Sequence, residues 1–273
     1  MSPATDALDA PASSDAHAAA TSGSPLPLLT VAESGPARRK KVWCGDLQCI
    51  DHPSNTVFTC AVDAAVLRAA RATFEALQPE SSKGRVLLSK KQKLRFHVER
   101  PPWKSDIRWI SAAEPRTLHE FFAPLFARLR LPEVFGSVGE MVLFSGYFVA
   151  RQETRRSHFH EDFGDTGCRA FTLMTPLYDM SALPDCHLLC EREESLHQYR
   201  YELGRAVVFG DRFVHATQTG KAPQPLAFLC FTFGDRRMTP GQWENAEFYI
   251  KNQAPFYFDP NGKLVESTER FCQ

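Results

Sequence analysis

Ser157-His158-Phe159-His160-Glu161-Asp162-Phe163 is the stretch on which the reading turns. In an extended chain successive side chains point to opposite faces, so His158, His160 and Asp162 share one face and Phe159, Glu161 and Phe163 the other. Three side chains able to bind a metal are costly to bury on one strand face without a partner. The surroundings of the stretch decide whether it is a strand end or a ligand set.

Downstream and upstream of it lie short runs rich in Val, Phe, Leu and Tyr, separated by turn residues: 141–150, 155–163, 169–178, 186–191, 196–203, 205–209, 212–217 and 226–234. Strands at this spacing, with no helical pattern between them, predict a sandwich, barrel or jelly roll over about 140–235. The 21 Phe residues fit a β-rich core or an aromatic-lined pocket.

A second histidine follows 53 residues after Asp162, at the end of Gly204-Arg-Ala-Val-Val-Phe-Gly-Asp-Arg-Phe-Val-His215. His-x-Asp with a distant His is the two-histidine, one-carboxylate pattern. It binds Fe(II) on one face of the ion and leaves positions open for a co-substrate and O₂. The metal ligands expected are therefore His160, Asp162 and His215. By itself His160–Asp162 could be a structural pair at a strand end, and His215 a core histidine; each gains its meaning from the other. His158 is either a neighbour of the site or a ligand in another register. His187 and His197 are read as surface or strand residues.

With these residues in place, region 140–235 resembles the double-stranded β-helix of the Fe(II)/2-oxoglutarate-dependent dioxygenases, in particular the prolyl-hydroxylase-like branch. The resemblance runs through His160-Glu161-Asp162, then Arg169-Ala-Phe-Thr172, then Gly204 to Phe209, then His215-Ala-Thr-Gln-Thr-Gly220. It implies Fe(II) as cofactor, 2-oxoglutarate as co-substrate, and oxidation of a substrate with release of succinate and CO₂. One feature departs from that branch. It carries an Arg or Lys about nine or ten residues after the distal His, facing the far carboxylate of 2-oxoglutarate. Here those positions are Gln224 and Pro225, and Leu226–Phe233 has no basic residue. Arg169 is the first-choice anchor, because a bidentate guanidinium suits a carboxylate. Lys221, in the turn after His215, is the second, and Thr172 completes the expected co-substrate site.

Upstream, residues 1–41 read as a disordered tail: residues 1–37 hold 10 Ala, 6 Ser and 5 Pro with no aromatic residue. Residues 42–273 read as one domain, with 42–139 as helical support outside the barrel and a C-terminal helix over about 240–252. Val66, Leu67, Ala70, Phe74 and Leu77 recur at helical spacing, and Asp63 stands near the start. A second helix is expected from Pro115 to about Arg130, with a kink or a break at Pro124. Thr239-Pro240 is an N-cap followed by Pro at the first helical position.

The chain has 273 residues, and Lys plus Arg (32) balances Asp plus Glu (32), which removes the overall basic charge typical of nucleic-acid binders. A basic stretch at 83–100 keeps a nucleic-acid substrate open, although a charged loop and strand face is the favoured explanation. The substrate, small molecule or protein, has no motif. No apolar run spans a membrane. The eight scattered cysteines contain no CxxC and read as reduced thiols of a cytoplasmic protein; Cys186/Cys190 and Cys44/Cys49 are the two pairs that could serve as zinc half-sites. Two other functions compete. His158-x-His160 with Asp165 resembles a cupin metal motif, although Thr172 stands where its closing glycine belongs. The missing cation after His215 suits a catalytically inactive β-barrel that binds a ligand or partner.

Overall fold

A computed structural model describes residues 42–43, 57–81, 84–100, 107–129, 131, 141–192 and 195–267. The tail 1–41 and the cysteines Cys44, Cys49 and Cys272 lie outside the described residues.

Strand pairing builds two facing sheets. The chain runs through β1 (Val42–Trp43), β2 (Val57–Ala61), β3 (Leu77–Pro79), β4 (Val86–Ser89), β5 (Leu94–Glu99) and β6 (Arg108–Ala112). It continues through β7 (Met141–Thr154), β8 (Ala170–Pro176), β9 (Leu188–Arg192), β10 (Ser195–Tyr199), β11 (Arg205–Phe209), β12 (His215–Thr217) and β13 (Gly220–Asp235). A last pair, β14 (Phe256–Phe258) and β15 (Leu264–Glu266), forms a separate ribbon. The larger sheet has the order β2-β11-β8-β13-β7-β6-β5-β4-β3, the smaller β1-β10-β9-β12. Beyond β12 the smaller sheet gains a single antiparallel bridge, His160 to His215.

From β7 onward the chain wraps alternately between the two sheets. β7 lies in the larger, His160 in the smaller, β8 in the larger, β9 and β10 in the smaller, β11 in the larger, β12 in the smaller and β13 in the larger. The resulting order, β11-β8-β13-β7 facing β10-β9-β12-His160, is a jelly roll, the double-stranded β-helix that the strand spacing predicts. The strand expected over 155–163 is reduced to the bridge at His160.

β13 explains why an apolar run marks the centre of this fold. Leu226, Phe228 and Cys230 face the barrel interior with Tyr147, Val149, Val207 and Phe209. The alternate residues Ala227, Leu229, Phe231 and Phe233 face the opposite way, into a second core with Phe96, Phe121, Phe122 and Phe148. A strand covered on both faces needs apolar residues at every position. Edge-to-face rings join this second core: Phe96 meets Phe121 at 5.6 Å and Phe122 at 6.0 Å between centroids.

The helices stand outside the barrel. α1 (Ala64–Glu75) starts where Asp63 accepts a hydrogen bond from the Ala65 amide at 2.6 Å. The helical run 115–127 changes form just ahead of Pro124, where a kink or a break is expected: α2 (Pro115–Thr117), a π-helical turn over Leu118–Phe122 and α3 (Ala123–Ala127). The ring of Pro124 would crowd the carbonyl of Glu120 in a regular helix; the wider turn ahead of it closes with the Ala123 amide on the Leu118 carbonyl. α4 (Pro240–Ile250) has the full capping box: Thr239 Oγ1 accepts from the Gln242 amide at 3.3 Å, and Gln242 Oε1 accepts from the Thr239 amide at 2.9 Å.

The expectation of helical support over 42–139 needs correction. β2 pairs with β11 on one side, and β6, β5, β4 and β3 extend the larger sheet beyond β7 on the other. The reason is local: Leu94 and Phe96 are buried while Arg95 between them is exposed, a two-residue period that a helix cannot satisfy. The basic stretch 83–100 thus lies largely on the β4–β5 hairpin, where Arg95 pairs with Glu80 at 2.6 Å.

Candidate metal centre

The His160–His215 bridge places two imidazoles side by side. Each residue donates its amide to the other's carbonyl at 3.0 Å, and the ring centroids are 4.5 Å apart. Paired backbones leave little freedom in either ring's starting position. A second hydrogen bond fixes each tautomer. His160 Nδ1 lies 2.9 Å from the His158 carbonyl and His215 Nδ1 lies 2.9 Å from the Phe213 carbonyl. A carbonyl only accepts, so each Nδ1 is the donor of that bond, and Nε2 is the ring nitrogen turned toward Asp162, the one a metal would take.

Both Nε2 atoms converge on one oxygen. Asp162 Oδ1 is 3.6 Å from His160 Nε2 and 3.7 Å from His215 Nε2. The other oxygen, Oδ2, accepts a hydrogen bond from Thr172 Oγ1 at 2.9 Å. Asp162 and His215 are buried and His160 half-buried. Asp162 Oδ1 is itself buried with no hydrogen-bond donor. A buried carboxylate oxygen without a donor is expensive, and a cation removes that cost. The three ligand atoms lie within 4.8 Å of one another, and no other such His/Cys/Asp/Glu cluster occurs among the described residues. Two imidazole nitrogens and one carboxylate oxygen gathered at one point form the donor set suited to Fe(II) with open positions.

Tyr249 reaches this carboxylate from α4. Its ring packs edge-on against Phe163 at 5.0 Å. Burial, then the negative charge of Asp162, push the phenol pKa well above its usual range.

The other residues singled out from sequence fall outside this cluster or serve it differently. His158 is exposed, its ring stacked 6.0 Å from His160, and contributes only its carbonyl. The HxH arrangement required by the cupin motif is therefore not formed. Thr172 orients Asp162. Arg169 does not reach the interior: it lies an odd number of residues from Thr172, on the opposite face, and its Nη1 pairs with Asp235 at 2.6 Å. Lys221 is exposed on β13, in register with Glu153. Neither proposed anchor stands where a ligand of the metal would extend. His187 is buried, with Nε2 donating to the Leu183 carbonyl at 3.0 Å and Nδ1 accepting from the Tyr201 amide at 3.2 Å. Cys186 and Cys190 are buried and form no disulfide, as is also true of Cys60 and Cys230.

A cation does stand in the barrel, and it is Arg151. Only 5% exposed, it continues the inward-facing alternation Tyr147-Val149-Arg151 of β7. Its guanidinium crosses to the smaller sheet, donating from Nη1 to Thr217 Oγ1 and from Nη2 to the Cys186 carbonyl at 3.0 Å. It lies 5.0 Å over the Phe228 ring and hydrogen-bonds Tyr201. Thr217 is two residues past His215 on the same strand. The guanidinium therefore stands about one two-residue repeat, about 7 Å, from the level of the metal ligand. Arg151 also pairs in register with Leu226, so it enters the barrel beside the last strand, close to where the resemblance placed the missing cation. The two-residue period of β7 is the sequence signal for it.

No family model matches the sequence. No curated protein matches it either. Among solved structures, HygX from Streptomyces hygroscopicus, with nickel, 2-oxoglutarate and hygromycin B bound, is 14% identical over 68% of this chain and 84% of its own, with a TM-score of 0.44. SnoN, a non-haem α-ketoglutarate-dependent epimerase from nogalamycin biosynthesis, is 11% identical over 67% and 79%, with a TM-score of 0.47. A prolyl-4-hydroxylase of Pseudomonas putida is 17% identical over 66% and 92%, with a TM-score of 0.39. The jelly-roll assignment rests on the chain's own strand order.

Proposed function

We propose that this chain is an Fe(II)- and 2-oxoglutarate-dependent oxygenase that hydroxylates or otherwise oxidises an organic substrate. The observation that carries the reading is the convergence of two imidazole Nε2 atoms on one buried carboxylate oxygen, the three ligand atoms lying within 4.8 Å of one another. His160, Asp162 and His215 would hold the iron. Bound iron with 2-oxoglutarate supplies a two-electron oxidation by O₂: the co-substrate becomes succinate and CO₂, one oxygen atom passing to each of succinate and substrate.

The chain's own residues supply position. Thr172 fixes the plane of the Asp162 carboxylate through Oδ2, leaving Oδ1 to the ion. The carbonyls of His158 and Phe213 hold both rings in the binding tautomer. Arg151 fits the far carboxylate of a five-carbon dicarboxylate whose other end is at the metal, because it stands on the same side of the barrel, one strand repeat deeper. Tyr201, Phe228 and Leu226 surround that route with a largely apolar wall, which excludes water and strengthens the charge pairing.

The test is succinate release from 2-oxoglutarate by the iron-loaded protein, with and without candidate substrates. Release that needs iron and is abolished by Asp162→Ala supports the reading. A protein that binds iron and 2-oxoglutarate without ever consuming the latter would favour a binding barrel instead.

A further inference from the structure

Two segments carry the candidate ligands: 160–169, which holds His160 and Asp162 and leads into β8, and 210–215, which ends on His215. They meet at one buried carboxylate. Asp211 is 2% exposed. Its Oδ2 accepts from the Thr166 amide at 2.7 Å and the Cys168 amide at 2.9 Å. Its Oδ1 accepts from Thr166 Oγ1. That hydroxyl oxygen in turn accepts from the amides of Arg169 at 3.2 Å and Ala170 at 3.1 Å. One side chain from the second segment therefore organises the whole turn that ends the first.

The backbone on both sides needs such a tie. Cys168 and Arg212 both sit at φ 56°, a left-handed conformation that residues with a side chain seldom adopt, and Gly167 between Thr166 and Cys168 is at φ 66°. Gly210 lies so close to β8 that an added Cβ would stand 3.0 Å from the Ala170 carbonyl oxygen. From the outside, Arg212 meets Asp165 at 3.6 Å, and Asn245 of α4 donates to the Asp165 carbonyl at 2.7 Å. Phe213, two residues after Asp211, supplies the carbonyl that orients His215.

We propose that Asp211 is the positioning residue of the metal centre: it holds the Asp162 segment and the His215 segment at the separation at which their ligand atoms share one ion. It touches neither the ion nor a substrate. This rests on the metal-site reading above, and extends it to a residue that the triad pattern does not contain. A carboxylate is needed because all three groups around it are donors. Asn would keep the size but set an amide N–H₂ either against the two amides or against the Thr166 hydroxyl, whose oxygen already accepts from two others.

The test is titration of the metal-free protein with Co(II), a spectroscopically visible stand-in for Fe(II), following affinity and the visible d–d spectrum. Asp211→Asn is expected to bind Co(II) at least ~10-fold more weakly, within the range for groups that orient ligands, and with an altered spectrum. Thr166→Val, which removes only the hydroxyl, should move both in the same direction by less, and stands in if Asp211→Asn fails to fold. Leu173→Ala, a cavity in the outer core, is the stability control: it should lower the melting temperature while leaving affinity and spectrum at wild-type values. If Asp211→Asn and Thr166→Val keep the wild-type affinity and spectrum, or if Leu173→Ala changes both as much as they do, the positioning role is overturned. The metal-site reading fails separately, if the wild-type protein binds no Co(II) or His215→Ala binds it as well as wild type.

Discussion

Thr172 Oγ1 and Asp162 Oδ2 are 2.9 Å apart, and that hydrogen bond divides the carboxylate's work: one oxygen is tied to β8, the other is left facing two imidazoles. A hydroxyl on the central sheet thereby sets the orientation of a ligand carried by an irregular segment.

Removing that hydroxyl should loosen the site without abolishing it. Thr172→Val is expected to weaken metal binding by about 10- to 100-fold, the usual cost of losing a ligand-orienting partner. His160→Ala, Asp162→Ala and His215→Ala should each abolish it. Calorimetric titration of the metal-free variants gives the comparison; equal affinity in Thr172→Val and wild type would show that Asp162 needs no orientation.

The co-substrate anchor separates Arg151 from the two cations that sequence reading favoured. Arg151→Met keeps most of the side-chain stem and removes the charge, and should cost about 2–5 kcal/mol of 2-oxoglutarate binding, the range for a buried charge pair losing one partner. Arg169→Ala and Lys221→Ala should leave the 2-oxoglutarate dissociation constant unchanged, because one pairs with Asp235 and the other faces solvent. Loss of affinity in either of those, with Arg151→Met unaffected, would reverse the assignment.

His187 gives the fold a dependence on acid. Burial pushes its pKa below the usual histidine value, with the Leu183 carbonyl opposing that shift. The folded state thus prefers neutral imidazole. Its contribution is complete above the unfolded-state pKa of about 6.5 and is lost as pH falls from there through the lower folded value, since the unfolded chain takes up the proton first. Urea unfolding of wild type between pH 7.5 and 5 should show stability falling, and His187→Gln should flatten that slope. Parallel slopes in the two proteins would assign the acid sensitivity elsewhere.

Phe148 is fully buried where the larger sheet meets the helices, with the rings of Phe74, Phe96, Phe121 and Phe122 around it at 5.5–6.2 Å. Phe148→Ala should destabilise the fold by about 3–5 kcal/mol through lost transfer energy and the cavity left behind. Denaturant unfolding measures this; a loss under about 1 kcal/mol would mean that this core collapses around the gap, as well-relaxing sites do.

The ligand set was legible in the sequence because most of its geometry is local. A His-x-Asp spacing puts two side chains on one side of an extended segment, and the apolar run before His215 places that histidine in a strand. Strand alternation, turn residues and the apolar run Leu226–Phe231 of β13 likewise mark the barrel, and the Thr239-Pro240 cap marks the start of α4. What the tertiary structure alone decided concerns partners far apart in the chain. Arg169 and Arg151 look alike as strand-flanking arginines; only the fold brings Asp235 to one and turns the other between the sheets against Thr217 and Cys186. Whether 84–112 adds strands to the barrel sheet depends on β7 offering it a free edge. Asp211 reads as a turn residue until the turn at 166–168, some 45 positions earlier, closes on its carboxylate. Local spacing fixes which faces side chains share; the counter-charge or donor that meets each face comes from a distant segment, and only the packed chain selects it.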